Sequence, residues 1–197
     1  MRHVLIRRER TGDVDAVRDV HLAAFAAVRA GDEPVTSEDR TGPPPDPVEA
    51  RLVDELRADP AAWLPALSLV AEDAEGEVVG HVVCTRGSLT GPDGPDGPLP
   101  ALGLGPLGVL PEHQKRGVGL ALMHAVLGAA DALGEPLVAL LGEPAYYSRF
   151  GFVPAADVGV EAPVEAWGRY FPVRTLTAYD AARHRGAFAY ARPFDGL

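Results

Sequence analysis

Gly105-Pro106-Leu107-Gly108-Val109-Leu110-Pro111, followed by Glu112-His113 and then by Gln114-Lys115-Arg116-Gly117-Val118-Gly119, is the stretch around which the chain organises. The first segment reads as a strand that ends at a proline. From Leu120 onward apolar residues return at helical spacing, so a strand, a basic glycine turn and a helix N-terminus meet here. Glycines without side chains let phosphate oxygens approach amide N–H groups at a helix start, and the turn is read as a pyrophosphate cradle. The helix-end field contributes about 0.3 to 1 kcal/mol for an anion, whereas each charge-assisted hydrogen bond is worth about 1.5 to 3 kcal/mol. The amides would therefore dominate. For the hexapeptide taken alone, a capped surface helix with chance basic residues is the plain alternative. The Gly-Lys-Ser/Thr ending of a Walker loop is missing, so nucleoside triphosphate hydrolysis with Mg²⁺ has no support.

Gly103, Gly105 and Gly108 form a literal G-x-G-x-x-G, which invites a dinucleotide-binding reading. That fingerprint needs its glycines to turn from strand into helix, and Pro106 with Leu107-Gly108-Val109-Leu110-Pro111 cannot open one. The expectation is a glycine-rich strand that a ligand backbone approaches.

The 197 residues, 47% of them hydrophobic, suffice for one domain with a full core, and a single domain over 1–197 is expected. Its core should span about 1–155, with strands and an irregular segment over 156–197. A formal net charge of -10 disfavours nucleic acid or an anionic membrane as the main partner. The lone Cys84 excludes an internal disulfide and reads as a buried strand residue. The six histidines are scattered without metal-ligand spacing, so no metal is expected. No signal peptide or membrane-spanning apolar run is legible, and the cytoplasm is the expected compartment.

In chain order, His3 to Arg7 reads as a first strand, and Thr11 as the cap of a helix running to about Ala27. Val14, Val17, Val20 and Ala24, with Phe25 alongside, form its core stripe. His21 on it reads as a surface or core histidine. Gly31 to Pro47 is a loop, and Pro47 opens a second helix, with Val48, Leu52, Val53 and Leu56 on its apolar face and Pro60 at its end. Leu67 to Glu72 and Glu77 to Thr85 make a hairpin across Asp73-Ala74-Glu75-Gly76, with Gly80 marking a bulge or close approach. Gly91 to Pro98 is a surface loop. After the central helix, Pro136 to Leu141 reads as a buried strand. Glu143 to Phe150 reads as a short helix ending at Gly151, and Phe152-Val153 starts another strand. Phe171 to Thr177 and Ala187 to Ala191 look like further strands. Trp167, Tyr170 and Phe171 are read first as strand-edge core, and second as an acceptor pocket.

Leu107 to Gly119 and Tyr147-Ser148-Arg149-Phe150-Gly151-Phe152, taken together, resemble the GNAT superfamily of acetyl-CoA-dependent N-acetyltransferases. The resemblance extends over residues 1 to about 155 and is greatest to a bacterial branch with a Gly-Glu/Asp-Pro-Ala-Tyr-Tyr signature. It implies an α/β (α+β) fold: a mixed, mainly antiparallel central sheet with splayed fourth and fifth strands, flanked by helices. It also implies that the backbone of Leu107, Gly108 and Val109 meets the pantetheine arm and acetyl carbonyl of acetyl-CoA as an added strand would. The amides of Gln114, Lys115, Arg116, Gly117, Val118 and Gly119 would hold the pyrophosphate. Tyr147 matches the tyrosine proposed as general acid to the leaving thiolate, while Tyr146 reads as structural. The acceptor would be a primary amine of a small molecule or peptide, and the resemblance leaves room for a homodimer.

The chemistry sets demands on this inventory. An alkylamine with pKa near 10.4 is only about 10^-3.4 neutral at pH 7, which costs roughly 4.6 kcal/mol unless a base or a desolvating pocket offsets it. Many members of the family carry a glutamate on the fourth strand; here Leu102-Gly103-Leu104-Gly105-Pro106 has no carboxylate, and Glu143-Pro144 stands where an asparagine is common. Glu143, Glu72, His81 and ordered water are the candidates for the base. A non-catalytic acyl-CoA-binding sensor or interaction module is the alternative function.

Overall fold

In the computed structural model, which describes residues 4–32, 47–91 and 97–196, the chain opens with β1 (Leu5–Arg8). A 3-10 turn, Thr11–Asp13, leads into α1 (Val14–Asp32). The cap differs from expectation: Asp13, not Thr11, supplies it, its Oδ2 accepting the Arg10 N–H at 2.7 Å. Arg7 donates to the same carboxylate at 2.6 and 3.0 Å, which ties the helix start to β1. α1 also passes the expected end near Ala27, because Ala26-Ala27-Val28-Arg29-Ala30 contains good helix formers and no breaker. Residues 33–46 and 92–96, which hold most of the two expected loops, lie outside the described residues.

α2 (Val48–Ala58) follows Pro47, stops before Pro60 and buries Ala50, Leu52, Val53 and Leu56. The hairpin of β2 (Ser68–Glu72) and β3 (Val78–Thr90) turns on Asp73, whose Oδ1 accepts the N–H groups of Glu75 and Glu77, both at 3.0 Å. The register slips beside Gly80, and a Cβ there would lie 3.1 Å from both Leu122 and Val118. A side chain there would press on the helix that packs over the sheet. Next come β4 (Leu99–Val109), α3 (Val118–Ala132), β5 (Leu137–Ala139), α4 (Pro144–Tyr147) and β6 (Val153–Pro154). The chain closes with β7 (Val160–Glu161), β8 (Pro172–Thr175) and β9 (Gly186–Ala189).

The sheet runs β1-β2-β3-β4-β5-β8-β6, with β9 joined to β3 and β7. β4–β5 and β7–β9 pair in parallel; the other pairs are antiparallel. β3 outlasts the expected Thr85 because Arg86 to Leu89 pair with Leu102 to Leu99 of β4, and Ser88, Leu89 and Thr90 pair also with Ala189, Phe188 and Ala187 of β9. α3 covers one face of the sheet, its Val118, Leu122, Met123 and Val126 packing on Leu69, Ala71, Val82 and Leu102. Full burial of each such side chain contributes about 1.5 to 3 kcal/mol. On the other face, Val17 of α1 and Val53 of α2 pack on Val70. Cys84 is buried on β3 within the α3 cluster, where burial pushes its thiol pKa up. No described helix is long and apolar enough to cross a membrane.

Candidate functional site

β4 and β5 pair only at Leu102↔Val138 and Gly103↔Ala139. Beyond Gly103, β4 continues to Val109 with β3 on one side and no β5 partner on the other. The parting coincides with an extra residue in β4: Val82 faces Leu107 while Cys84 faces Leu104, so Gly105 and Pro106 form a bulge at the mouth of the gap. The result is an open strand edge over Leu104–Val109. Leu107, Gly108 and Val109 all lie on it, and the Val109 carbonyl accepts Gln114 Nε2–H at 3.0 Å. A ligand pairing with that carbonyl must displace the exposed Gln114 side chain.

The turn that follows is built as its sequence suggests. Lys115 has φ 58° and Gly117 φ 90°, and Gly117 is the residue immediately before α3. The first helical bond runs from Ala121 N–H to the Gly117 carbonyl at 2.9 Å, so the amides of Val118, Gly119 and Leu120 have no helical acceptor. Lys115, Arg116 and Gly117 are exposed around them, and a Cβ at Gly119 would lie 3.4 Å from Tyr146 Oη. Donors, glycines and two cations thus share one end of a fifteen-residue helix. This arrangement can hold a doubly charged anion.

Tyr147 stands at the other wall of the gap. Glu143 begins α4, its carboxylate accepting the Ala145 N–H at 3.4 Å, and a 3-10 turn, Ser148–Phe150, ends at Gly151 with φ 80°. This double turn stacks Tyr147 edge-on against Tyr146 at 5.0 Å and Phe152 at 5.8 Å. Its ring also lies flat against Gly142, where a Cβ would sit 3.0 Å from Cδ2 and closer still to Cε2. Burial, with Tyr146 beside it, raises the Tyr147 pKa to about 12. Tyr146 is positioned by packing, with the Arg149 guanidinium 4.9 Å over its ring.

Beside Tyr147 opens a cavity of about 410 Å³ floored by Leu104, Gly105, Pro106 and Leu107 of β4. Phe25 of α1, Leu52 of α2, Trp167, Tyr190 and Phe194 also line it, and Phe194 packs against the cluster of Leu52 and Leu56. Among the described lining residues, Glu49 is the only ionisable side chain other than the two tyrosines. Of the three aromatic residues held between core and pocket, only Trp167 lines the cavity. Phe171 is fully buried and Tyr170 is 40% exposed.

Two of the three β4 glycines face the chain's own side chains: a Cβ at Gly103 would lie 2.5 Å from the Tyr190 ring, and one at Gly108 2.8 Å from His21 Nδ1, whereas Gly105 has nothing within 4 Å. The carboxylate and imidazole candidates for the base do not gather at the cavity. Glu72 pairs with Arg7 at 2.6 Å, and His81 is buried among His21, Ser68 and Glu9. Neither lines it, and Glu143 is occupied as the α4 cap. Sequence reading missed Glu49, Tyr190 and Phe194 as wall residues, and no signal in the residues beside them pointed to the cavity. Among the described residues, no group of three or more His, Cys, Asp or Glu could hold a metal ion.

Known proteins are similar to this chain. Residues 6–155 match the Acetyltransferase (GNAT) domain family. The chain is 43% identical over 116 residues to the uncharacterized N-acetyltransferase YjhQ of Escherichia coli K12, covering 58% of this chain and 61% of that protein. It is 39% identical over 108 residues to the uncharacterized N-acetyltransferase YhbS of the same strain, covering 55% and 60%. The match therefore spans about three fifths of these curated relatives' own lengths. Among solved structures, YhbS from E. coli in complex with CoA superposes with a TM-score of 0.78 at 27% identity, covering 99% of this chain and 93% of that one. An acetyltransferase from Brucella melitensis in complex with acetyl-CoA superposes with a TM-score of 0.69 at 31% identity, covering 99% and 100%.

Proposed function

Because the chain belongs to the GNAT acetyltransferase family, we propose that it transfers the acetyl group of acetyl-CoA to a primary amine by direct attack on the thioester. The observation that carries this reading is the convergence at one opening of three things: the unpaired β4 edge, the free amides at the start of α3, and Tyr147. The CoA and acetyl-CoA held by the two solved relatives support the same ligand here. Leu107, Gly108 and Val109 would pair with the pantetheine arm. The amides from Gln114 to Gly119, with Lys115 and Arg116, would hold the pyrophosphate.

In the reaction the amine nitrogen bonds to the thioester carbon, the C–S bond breaks, and the proton lost by nitrogen balances the CoA thiolate as free thiol. Tyr147, with its pKa near 12, is a weak proton donor. Full transfer to a thiolate near 8.5 would be uphill by about 5 kcal/mol at about 1.4 kcal/mol per unit. Its role is therefore to donate a hydrogen bond to the sulfur as charge develops, the proton following late. With no carboxylate on β4, and Glu72 and His81 engaged elsewhere, the apolar cavity itself favours the neutral amine by desolvation.

Calorimetric titration with acetyl-CoA, followed by thiol release across a panel of amines, tests the reading. Micromolar binding with amine-dependent thiol release is expected; no binding would end it. The missing β4 carboxylate favours one other reading, a non-catalytic acyl-CoA sensor, for which acetyl-CoA would bind without turnover on any amine.

A further inference from the structure

Glu49 sits alone. Its neighbours' cations are spent elsewhere: Arg51 on Glu55, Arg57 on Glu9 and Asp54, Arg18 on Asp54. Glu49 itself has no hydrogen-bond or ion-pair partner among the described residues. Yet it is half-buried at a cavity whose other walls are aliphatic and aromatic. An unpaired carboxylate beside such walls offers a bound cation a charge-assisted hydrogen bond. Aromatic rings line the same cavity: Tyr190 stacks on Phe194 at 4.6 Å and Trp167 meets Tyr190 at 6.2 Å, an apolar surface that suits a hydrocarbon body.

The lining also says what would be rejected. Among the described residues it contains no lysine, arginine or histidine, so a substrate carboxylate or phosphate would face Glu49 with nothing to neutralise it. The volume of about 410 Å³ lies near the small end of ligand pockets.

Resting on the acetyl-transfer reading, we infer that the acceptor is a compact lipophilic amine without a neighbouring anionic group, and that Glu49 is the specificity-determining residue that docks its ammonium. Glu49 is half-exposed, so the ammonium meets it where water can take the released proton. The neutral amine then moves to the apolar floor at Leu104–Leu107, beside the gap where the thioester would lie. Glu49 is thus a docking group and not the base.

Matched pairs test this: phenethylamine against phenylalanine and tryptamine against tryptophan, each pair differing by one carboxylate, with wild type, Glu49→Gln and Glu49→Asp. The expected kcat/KM for the amines exceeds that for the amino acids by about a hundredfold or more. Glu49→Gln raises the amine KM about ten- to a hundredfold with kcat within a few-fold and acetyl-CoA affinity unchanged; Glu49→Asp recovers part of the loss. Equal use of amine and amino acid, or an amine KM insensitive to Glu49→Gln, overturns the inference. So does a Glu49→Gln loss confined to kcat, which would make Glu49 the base. If acetyl-CoA itself does not bind, the acetyl-transfer reading fails. Direct titration of phenethylamine and phenylalanine then still decides the cavity's preference: the amine binding more tightly supports it, and equal binding overturns it.

Discussion

His21 Nε2 and His81 Nδ1 lie 2.8 Å apart with both imidazoles fully buried, so a histidine of α1 and one of β3 share a single N–H. The chain of partners assigns the direction. Ser68 donates to Glu9, so its oxygen accepts His81 Nε2–H at 2.9 Å; His81 Nδ1 is then bare and accepts from His21. His21 Nδ1 is left without a hydrogen-bond partner, against Gly108. Burial lowers the pKa of His81 more than the Glu9 hydrogen bond raises it, and burial with His81 nearby lowers that of His21 further; Arg57 pushes both the same way. At Glu9, burial opposes the charge, but hydrogen bonds from His81 and Ser68 outweigh it and hold the carboxyl low.

Both histidines therefore fold neutral and unfold with an ordinary pKa near 6.5, so the unfolded state binds more protons below that value. Stability is fully present above about pH 6.5 and falls as pH drops toward the folded pKa values. Urea unfolding between about pH 7.5 and about pH 5.5 should show a total loss of about 1.4 kcal/mol for each histidine that charges only on unfolding, most of it below about pH 6.5. His21→Leu should flatten that slope. An unchanged slope would mean that the pair titrates normally in the fold.

Gly117→Asp places a side chain at φ 90° and a negative charge among the free amides of α3. Losing two charge-assisted hydrogen bonds costs about 3 to 6 kcal/mol. Calorimetry should show acetyl-CoA affinity reduced by at least about a hundredfold, while circular dichroism shows the fold retained.

Tyr147→Phe keeps the ring packing on Phe152 and removes the hydroxyl. We expect kcat to fall about 10²-fold or more with acetyl-CoA affinity unchanged. Because the raised pKa of about 12 keeps the hydroxyl protonated below that value, wild-type kcat should show no falling limb from Tyr147 below about pH 11. A limb near pH 10 that disappears in Tyr147→Phe would refute this.

Gly142→Ala tests the seat of that ring without touching it. The new methyl would press on Tyr147 Cδ2 and Cε2, so the ring must move. The variant should lose kcat in the manner of Tyr147→Phe, bind acetyl-CoA normally, and lose about 1 to 3 kcal/mol of stability. Wild-type kcat in Gly142→Ala would show that the ring's position does not matter.

What local chemistry could encode was legible. Gly117 and Gly151 announce left-handed turns, Pro47 and Pro60 bracket α2, and the spacing from Leu120 onward marks α3, because each is decided by neighbours in the chain. The Thr11 cap failed for a reason only a few residues away: Asp13 accepts the Arg10 N–H, and Arg7 of β1 holds that carboxylate in place. β3 ran on because β4 pairs with it as far as Leu89, and β9, about a hundred residues later, pairs with its end at Ser88–Thr90, contacts that no pattern near Thr85 could show.

By itself, then, the sequence determined the strand, glycine turn and helix proposed to hold the cofactor, together with the short helix that carries Tyr147. Backbone conformation there is set by a few adjacent residues. Only the tertiary structure decided the cavity proposed for the acceptor. Phe25, Glu49, Tyr190 and Phe194 come from distant segments and meet over β4, where the missing side chain of Gly103 makes room for the Tyr190 ring. The same packing took Glu72 and His81 out of contention, since burial and ion pairing with Arg7 and Glu9 depend on where whole elements lie and not on the residues beside them.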